Sequence, residues 1–484
     1  MRIYYNKGLK PLAICRDSPC AVRKTPKKYY LRTRKEPFMQ NNSRQPSGMR
    51  AYLIIQAGQF FSIIGTGMTR FALTLFAWEQ TQEATTLALM GFFGFLSVIL
   101  FSPIAGALVD RSNRKLAMML SDLGAGSMSI FILVMLSLNQ LQIWHLYVAF
   151  FVAGAFESFQ FPAYSSAISM MLDKKDYARS MAISGLVEAG SGIIAPILAG
   201  VLFAFIGLRG ILIIDIFTFS FAIGALLIVH IPQPPPTDPA KQNSLLEDSL
   251  FGFRYIWARP SLFGVQMIFF FGNLLFSLAI SLQSPMILAR TNSNEQILGL
   301  VNALIAVGGL IGGLYLTWWG GPKKKVRMLA ITWILSAIFG MMLMGAGQVW
   351  VWWAFGGFVT ALVSPTLNGS NQSLWMSKVP PPLQGRVFSI RRLLAQVVGP
   401  LGMFIAGPLA DRVFEPAMRA DGALAPIFGG IFGVGAGAGM GLLITIAGVL
   451  CVITTSLIYF VPVVRHVETL IPDFETDLQE APAT

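Results

Sequence analysis

The run Leu87–Val109, LALMGFFGFLSVILFSPIAGALV, carries no charge, and Asp110-Arg111-Ser112-Asn113-Arg114-Lys115 follows it before a second apolar run opens at Leu116. A helix rises about 1.5 Å per residue, so about 20 apolar residues cross the hydrocarbon core of a bilayer. The run is therefore long enough to span, and the charge cluster marks where it returns to water. Eleven further stretches read the same way, at roughly 51–78, 116–137, 144–169, 180–206, 211–231, 262–289, 298–319, 328–346, 349–372, 387–410 and 438–463. Barrel strands would be about 10 residues long and would alternate in polarity, which these do not. The chain has 484 residues, 54% hydrophobic and 12% charged, with a mean hydropathy of +0.63. Soluble domains carry about 25% charged residues, so the expectation is an all-α integral membrane protein of twelve spans.

The net charge of +13 is unevenly placed: residues 1–50 hold thirteen Lys and Arg against Asp17 and Glu36. That segment has no apolar stretch fit for a signal peptide. Two readings stand: a polybasic tail drawn to anionic lipid or, preferred, a segment that is either disordered or upstream of a true start at Met39 or Met49. Nucleic-acid binding is not expected, because the basic run lacks a folded scaffold with interleaved aromatics. Among the connections between spans, one side collects seventeen Lys and Arg and the other only Arg209, Arg290, Arg412 and Arg419. The positive-inside rule then places both termini in the cytoplasm.

The longest connection, 232–260, opens with Pro232-Gln233-Pro234-Pro235-Pro236, which cannot continue a helix. Within it Leu246, Leu250, Phe253 and Trp257 recur at helical spacing, predicting an amphipathic helix over Leu245–Trp257 on the cytoplasmic surface. The expected organisation is a basic tail (1–50), a six-helix bundle (51–231), the linker (232–260), a second six-helix bundle (261–463) and a cytoplasmic tail (464–484). The halves echo each other. Pro162 and then Arg179 are matched by Pro365 and then Arg386, and Pro196 with Gly200 by Gly399-Pro400 with Gly402. Pseudo-repeated halves with substrate at their interface are the pattern of alternating-access carriers.

Five ionisable residues lie inside apolar spans, all in the first half: Arg70, Asp122, Glu157, Glu188 and Asp215. A charge at membrane depth costs several kcal/mol, roughly, and so turns toward the bundle interior or a water-filled path. Desolvation raises a carboxylate pKa and a nearby Arg opposes the rise, so the carboxylate without a cationic partner is the one to exchange protons. Asp122 and Asp215 read as structural, bonding neighbouring helices; Glu188 stays open between cavity and helix packing. The second half offers Asn273, Asn302, Asn368, Asn371, Gln372 and Gln396, of which Asn273, Asn368 and Gln396 are the cavity candidates, with Arg391 and Arg392 near the end of their span. Cys15, Cys20 and Cys451 and the three His show no metal-ligand spacing, so neither a metal nor a cofactor is expected.

The loop Gly106-Ala107-Leu108-Val109-Asp110-Arg111-Ser112-Asn113-Arg114-Lys115 resembles the signature G-x-L-a-D-r-x-G-r-k of the major facilitator superfamily. Phe161-Pro162-Ala163, Gly385-Arg386-Val387-Phe388-Ser389 and Gly407-Pro408-Leu409-Ala410-Asp411-Arg412 are similar to that family's drug:proton antiporter branch, which contains macrolide and enterobactin exporters. The resemblance implies that Asp110 latches against the entry of span 11 at Gly385-Arg386 in the outward-facing state, where a carboxylate is favoured at a helix N-terminus by about 0.3–1 kcal/mol. Asn113 stands where the signature has Gly, and Asn is expected there in a left-handed turn. The family's antiporter stretch in span 5 is here Gly190–Gly200, with Gly192, Pro196 and Gly200 read as small residues for close helix packing. Because spans 1 and 4 line the cavity in this family, the resemblance makes Arg70 and Glu157 cavity residues, and Glu157 or Glu188 the proton carrier.

The resulting expectation is a bacterial inner-membrane carrier, not an enzyme, that exports an amphipathic small molecule in exchange for protons. A monomer in the lipid bilayer is expected. The alternatives are a siderophore or lysolipid carrier of the same fold without proton antiport and, from another class, a membrane-embedded enzyme. An ATP-driven pump is not expected, because the chain has no P-loop.

Overall fold

Hydrocarbon offers no partner to backbone N–H and C=O groups, so each span must close its own hydrogen bonds as a helix. The computed structural model describes residues 48–172, 176–231 and 245–471; inside its helices the side chains of 103, 106–107, 110–111, 161, 166, 169, 177–178, 181–182, 245–250, 381–382 and 385–386 lie outside that description. The first bundle comprises α1 (Gly48–Thr81), α2 (Ala84–Arg111), α3 (Arg114–Ser137), α4 (Ile143–Met171) and α5 (Tyr177–Ile228). α5 contains two crossings, because Gly207 takes φ 59° and ψ −171° and breaks the helix between them. Only glycine adopts that backbone at no steric cost. Eleven helices are long and apolar enough to span, and the break at Gly207 makes twelve crossings. The surface helix α6 (Leu245–Trp257) precedes the second bundle.

The second bundle runs α7 (Pro260–Arg290), α8 (Glu295–Trp319) and α9 (Lys325–Leu335), the last continuing through a π turn at Ser336–Met342 into α10 (Leu343–Ala346). Then come α11 (Trp350–Lys378), α12 (Pro381–Gln396) and α13 (Val398–Leu409), with a π turn at Ala410–Phe414 and α14 (Glu415–Ala417). The chain closes with α15 (Ala425–Phe432), α16 (Ala438–Phe460) and the short α17 (Pro462–Arg465) and α18 (Val467–Leu470). Span 11 of the sequence is thus two helices and a π turn rather than one rod. We call the side where α1 begins and α2 ends the charge-rich face, and the side where α1 ends and α2 begins the charge-poor face.

Local chemistry fixes the helix ends. Asn113 is not left-handed: it is extended, with φ −66° and ψ 118°, and its side chain accepts a hydrogen bond from Leu116 N at 3.2 Å as the N-cap of α3. The left-handed expectation fails because Asn is equally a strong N-cap, and the helix begins one residue later. Lys115 Nζ donates to Leu227 O at 3.1 Å and to Val229 O at 2.8 Å, so a cation of the charge cluster satisfies the open carbonyls that end α5. On α6, Phe253 and Trp257 are exposed and stacked at 5.7 Å, while Tyr255 and Ile256 are buried.

The bundles meet through small residues. A Cβ placed on Gly299 of α8 would stand 2.6 Å from Pro196 O of α5, and one on Gly200 would stand 3.0 Å from Glu295 O. The Gly192–Gly200 stretch is therefore a packing surface turned toward the other bundle as well as its own, since a Cβ on Gly67 of α1 would lie 2.8 Å from Ala195 Cβ. Inside the second bundle, α8 meets α11 so closely that a Cβ on Gly312 would collide with the Leu362 carbonyl. Gly312→Leu is expected to destabilise the protein by about 1–3 kcal/mol, the usual cost of overpacking. A lowered thermal unfolding midpoint in detergent checks this, and an unchanged midpoint contradicts the packing described.

Candidate functional site

Span length sets the depth of each residue, and the packing around α1 sets what it meets. Arg70 projects from α1 and Glu157 from α4, and Arg70 Nη2 donates to Glu157 Oε2 at 2.5 Å. Both side chains are about half exposed, 54% and 46%, so the pair faces an open volume rather than a sealed core. Arg70 and Glu188 both line a cavity of about 400 Å³ that α1 and α5 bound on one side and α7 and α8 on the other. Ser191, Gly192 and Pro196 continue its α5 wall, and Ser284 and Asn302 form its polar wall in the second bundle. Glu188 is exposed to this space and makes no ion pair or hydrogen bond among the described residues. The arrangement holds one cation against one carboxylate and leaves a second carboxylate on the same cavity without a cationic partner.

The second bundle's contribution differs from the sequence expectation. Asn302, not Asn273 or Asn368, lines the cavity. Asn273 Nδ2 instead donates to Ala395 O at 3.2 Å, tying α7 to α12, and Asn368 Nδ2 donates to Ser364 O of its own helix at 3.0 Å. Gln396 is half-buried at the break between α12 and α13. Side-chain amides are easily taken up by neighbouring carbonyls in a low-dielectric interior, which is why polar residues in a span need not reach the cavity. Asn302 Oδ1 accepts from Gln283 Nε2 at 3.2 Å, and Gln283 lines a second cavity of about 210 Å³ within the bundle, walled by Phe276, Met341, Met344 and Thr360 among others. Arg391 donates to Gln372 Oε1 and lies over the Phe388 ring at 5.2 Å.

Asp122 and Asp215 are buried. Asp122 on α3 accepts from Gln59 Nε2 of α1 at 2.9 Å and from Gln160 Nε2 of α4 at 3.0 Å. Asp215 on α5 accepts from Ser129 Oγ at 2.7 Å and from Thr66 Oγ1 at 3.3 Å. The partners Gln59 and Gln160 went unnoticed in the sequence, although an amide inside an apolar span is itself the signal. Tyr164 OH donates to Gln56 Oε1 at 2.6 Å and Gln56 Nε2 to Ser184 Oγ at 3.0 Å, extending the polar set across α1, α4 and α5. Of the loop signature, Lys115 caps α5 as described, and Arg114 is buried. Gly106, Asp110, Arg111, Gly385 and Arg386 lie outside the described side chains, so the expected latch has no geometry here. Among the described residues no group of three or more His, Cys, Asp and Glu is arranged to hold a metal ion.

Residues 57–403 match the family profile described as Major Facilitator Superfamily. The chain belongs to the major facilitator superfamily. It is accordingly an integral membrane transporter and not an enzyme. Macrolide efflux protein A of Streptococcus pyogenes is 23% identical over 369 residues, covering 75% of this chain and 90% of that protein. Multidrug efflux pump Tap of Mycolicibacterium fortuitum is 25% identical over 385 residues, covering 77% and 91%. Among solved structures, a bacterial homolog of the human lysosomal transporter Spinster, inward-facing and occupied, superposes with a TM-score of 0.62 at 15% identity, over 85% of this chain and 96% of that one. The superfamily fold thus accounts for two bundles enclosing a cavity at their interface.

Removing the carboxylate of Asp122 leaves the buried Gln59 Nε2 without its acceptor, at a cost of about 1–3 kcal/mol, while Gln160 Nε2 still donates to Gln59 Oε1 at 3.2 Å. Asp122→Ala is expected to lower the unfolding midpoint in detergent, and Asp122→Asn to lower it less, because an amide oxygen still accepts one bond. Equal midpoints for all three proteins would show that the network adds no stability.

Proposed function

We propose that this transporter exports an amphipathic small molecule, macrolide-like or siderophore-like in size and polarity, in exchange for protons. The observation that carries the reading is the division of labour around Arg70: Glu157 neutralises it, and Glu188 faces the same cavity without a cation. One Arg compensates one carboxylate. Glu188 is therefore the group that binds a proton when substrate is absent and yields it when substrate enters, and Glu157 is the structural partner of Arg70. The efflux activities named for the streptococcal and mycobacterial relatives support the direction of transport. Methionine and phenylalanine walls around Gln283 suit a ligand of variable shape, since Met side chains adapt to irregular surfaces.

The protein is assigned to a bacterial inner membrane as a monomer, with both termini and the charge-rich face in the cytoplasm and α6 lying on that surface. Phe253 and Trp257 then rest in the lipid interface. Asp110 is assigned the conformational latch against the entry of α12 at Gly385-Arg386, acting in the outward-facing state. With single cysteines in place of Glu83, Ser293 or Lys324, an impermeant thiol reagent applied outside cells is expected to label the first two and spare the third. Labelling of the third alone would invert the orientation.

Glu188→Gln and Glu157→Gln separate the two roles in vesicles supplied with a macrolide. Glu188→Gln is expected to abolish accumulation driven by a pH gradient while keeping downhill exchange, because a permanently neutral group binds substrate without a proton to trade. Glu157→Gln is expected to weaken both activities, since it leaves Arg70 uncompensated in the cavity. Gradient-driven transport retained by both variants would refute proton coupling at this site and favour the alternative of a solute carrier without proton antiport.

A further inference from the structure

Asp411 belongs to the second bundle, in the π turn that follows α13, yet all its described hydrogen bonds go to the first bundle. Its Oδ1 accepts from Ala84 N at 3.1 Å, and its Oδ2 accepts from Thr85 N at 2.7 Å and from Thr85 Oγ1 at 2.6 Å. Ala84 and Thr85 open α2, and the N-cap residue there, Glu83, makes no side-chain cap bond of its own. The free N–H groups of α2 are thus satisfied in trans by a carboxylate, which also meets the positive end of the helix dipole. Gly407 permits the approach, since a Cβ there would collide with Thr85 Cα.

The contact continues in antiparallel register along the two helices. A Cβ on Gly91 would lie 3.1 Å from Met403 Sδ, the Phe92 and Phe404 rings stand 5.3 Å apart, and a Cβ on Gly399 would lie 2.6 Å from Phe95. Asp411 ends the sequence Gly407-Pro408-Leu409-Ala410-Asp411-Arg412, and α2 ends in Gly106-Ala107-Leu108-Val109-Asp110-Arg111. Both read G-x-L-x-D-R. Continued in the same register, α2 would bring Asp110 opposite residues 384–386, the entry of α12, just as α13 brings Asp411 opposite residues 83–85, the entry of α2.

We propose that Asp411 is a second latch: it caps α2 and, in the orientation of the proposed function on which this rests, holds the charge-poor, external face closed. It releases when the Asp110 latch assigned above engages the opposite face, so the two exclude each other through the cycle. The two states then differ by which helix start holds a carboxylate, so neither is favoured outright and small differences in ligand affinity shift the population. Trp78 Nε1, donating to Ser293 Oγ at 3.2 Å from α1 to the α7–α8 connection, closes the same face from a second point.

The test reads external access to the cavity. Ser284, half-buried on the cavity wall, is replaced by cysteine in a chain whose Cys15, Cys20 and Cys451 are replaced by serine or alanine, and an impermeant maleimide is applied outside intact cells. Asp411→Ala is expected to speed labelling about tenfold or more, the factor that one charge-assisted hydrogen bond carries. Thr85→Val, which removes only the hydroxyl bond, gives a smaller increase, and Asp110→Asn slows labelling. Thr85→Val keeps the test decisive if Asp411→Ala does not reach the membrane. Labelling unchanged or slower in whichever of the first two variants does so overturns the proposal. Neither substrate nor a proton gradient is needed, so the result stands apart from the outcome at Glu188.

Discussion

A polar group at membrane depth has only the protein or a water-filled cavity for a partner, and the first bundle is arranged around that constraint. Gln59, Thr66 and Arg70 lie on α1 at spacings of seven and four, which puts them on one face of the helix. Each meets an acid from a different neighbour: Gln59 meets Asp122 of α3, Thr66 meets Asp215 of α5, and Arg70 meets Glu157 of α4. Helix α1 therefore holds the bundle together through three carboxylates, and each bond would cost more to break in lipid than in water. Glu188 is the exception. It faces the cavity and is tied to none of them, so none of these bonds depends on it.

The contacts between bundles follow the opposite rule. Where α5 meets α8, glycine and alanine bring backbones together with no polar group committed across the gap, and where α2 meets α13 the bonds concentrate at the Asp411 end. Surfaces of small residues in a membrane associate through packing alone, and lipid or water replaces packing at little cost. Apart from the Asp411 cap and the Trp78–Ser293 bond on the charge-poor face, the seam between the bundles is replaceable packing, whereas α1 is bonded to three carboxylates within its own bundle. Rigid halves with a weak seam are what alternating access requires.

The spans, their number and the break near Gly207 were legible because length and apolarity answer directly to bilayer thickness, and Gly207 with Gly210 falls between two apolar runs each long enough to span. The family was legible from the loop signature and the repeated halves. Which carboxylate takes Arg70 was not, because helices apolar all round give no sign of how each is rotated toward its neighbours. For the same reason the sequence does not reveal that Asn273 bonds the Ala395 carbonyl rather than facing the cavity. Asn113 misled in another way: both a left-handed turn and an N-cap suit asparagine, and only the backbone of the loop decides between them. The π turn at Ala410–Phe414, which carries Asp411, has no sequence signature at all.

The asymmetry between the halves bears on coupling. The ionisable groups lining the cavity belong to α1 and α5, whereas the opposite wall presents Ser284 and Asn302, with the Gln283 amide leading to a space lined by methionine and phenylalanine. A ligand lying between the walls would touch both at once. Discrimination by the second bundle would rest on apolar fit and one amide pair, which tolerates wide variation in shape. Under the proposed coupling, exchange at Glu188 would ask only that the ligand displace water and alter the field around a single carboxylate. A ligand need not be recognised by its charge for such a proton to respond to it, so the proposed coupling group would serve chemically different substrates.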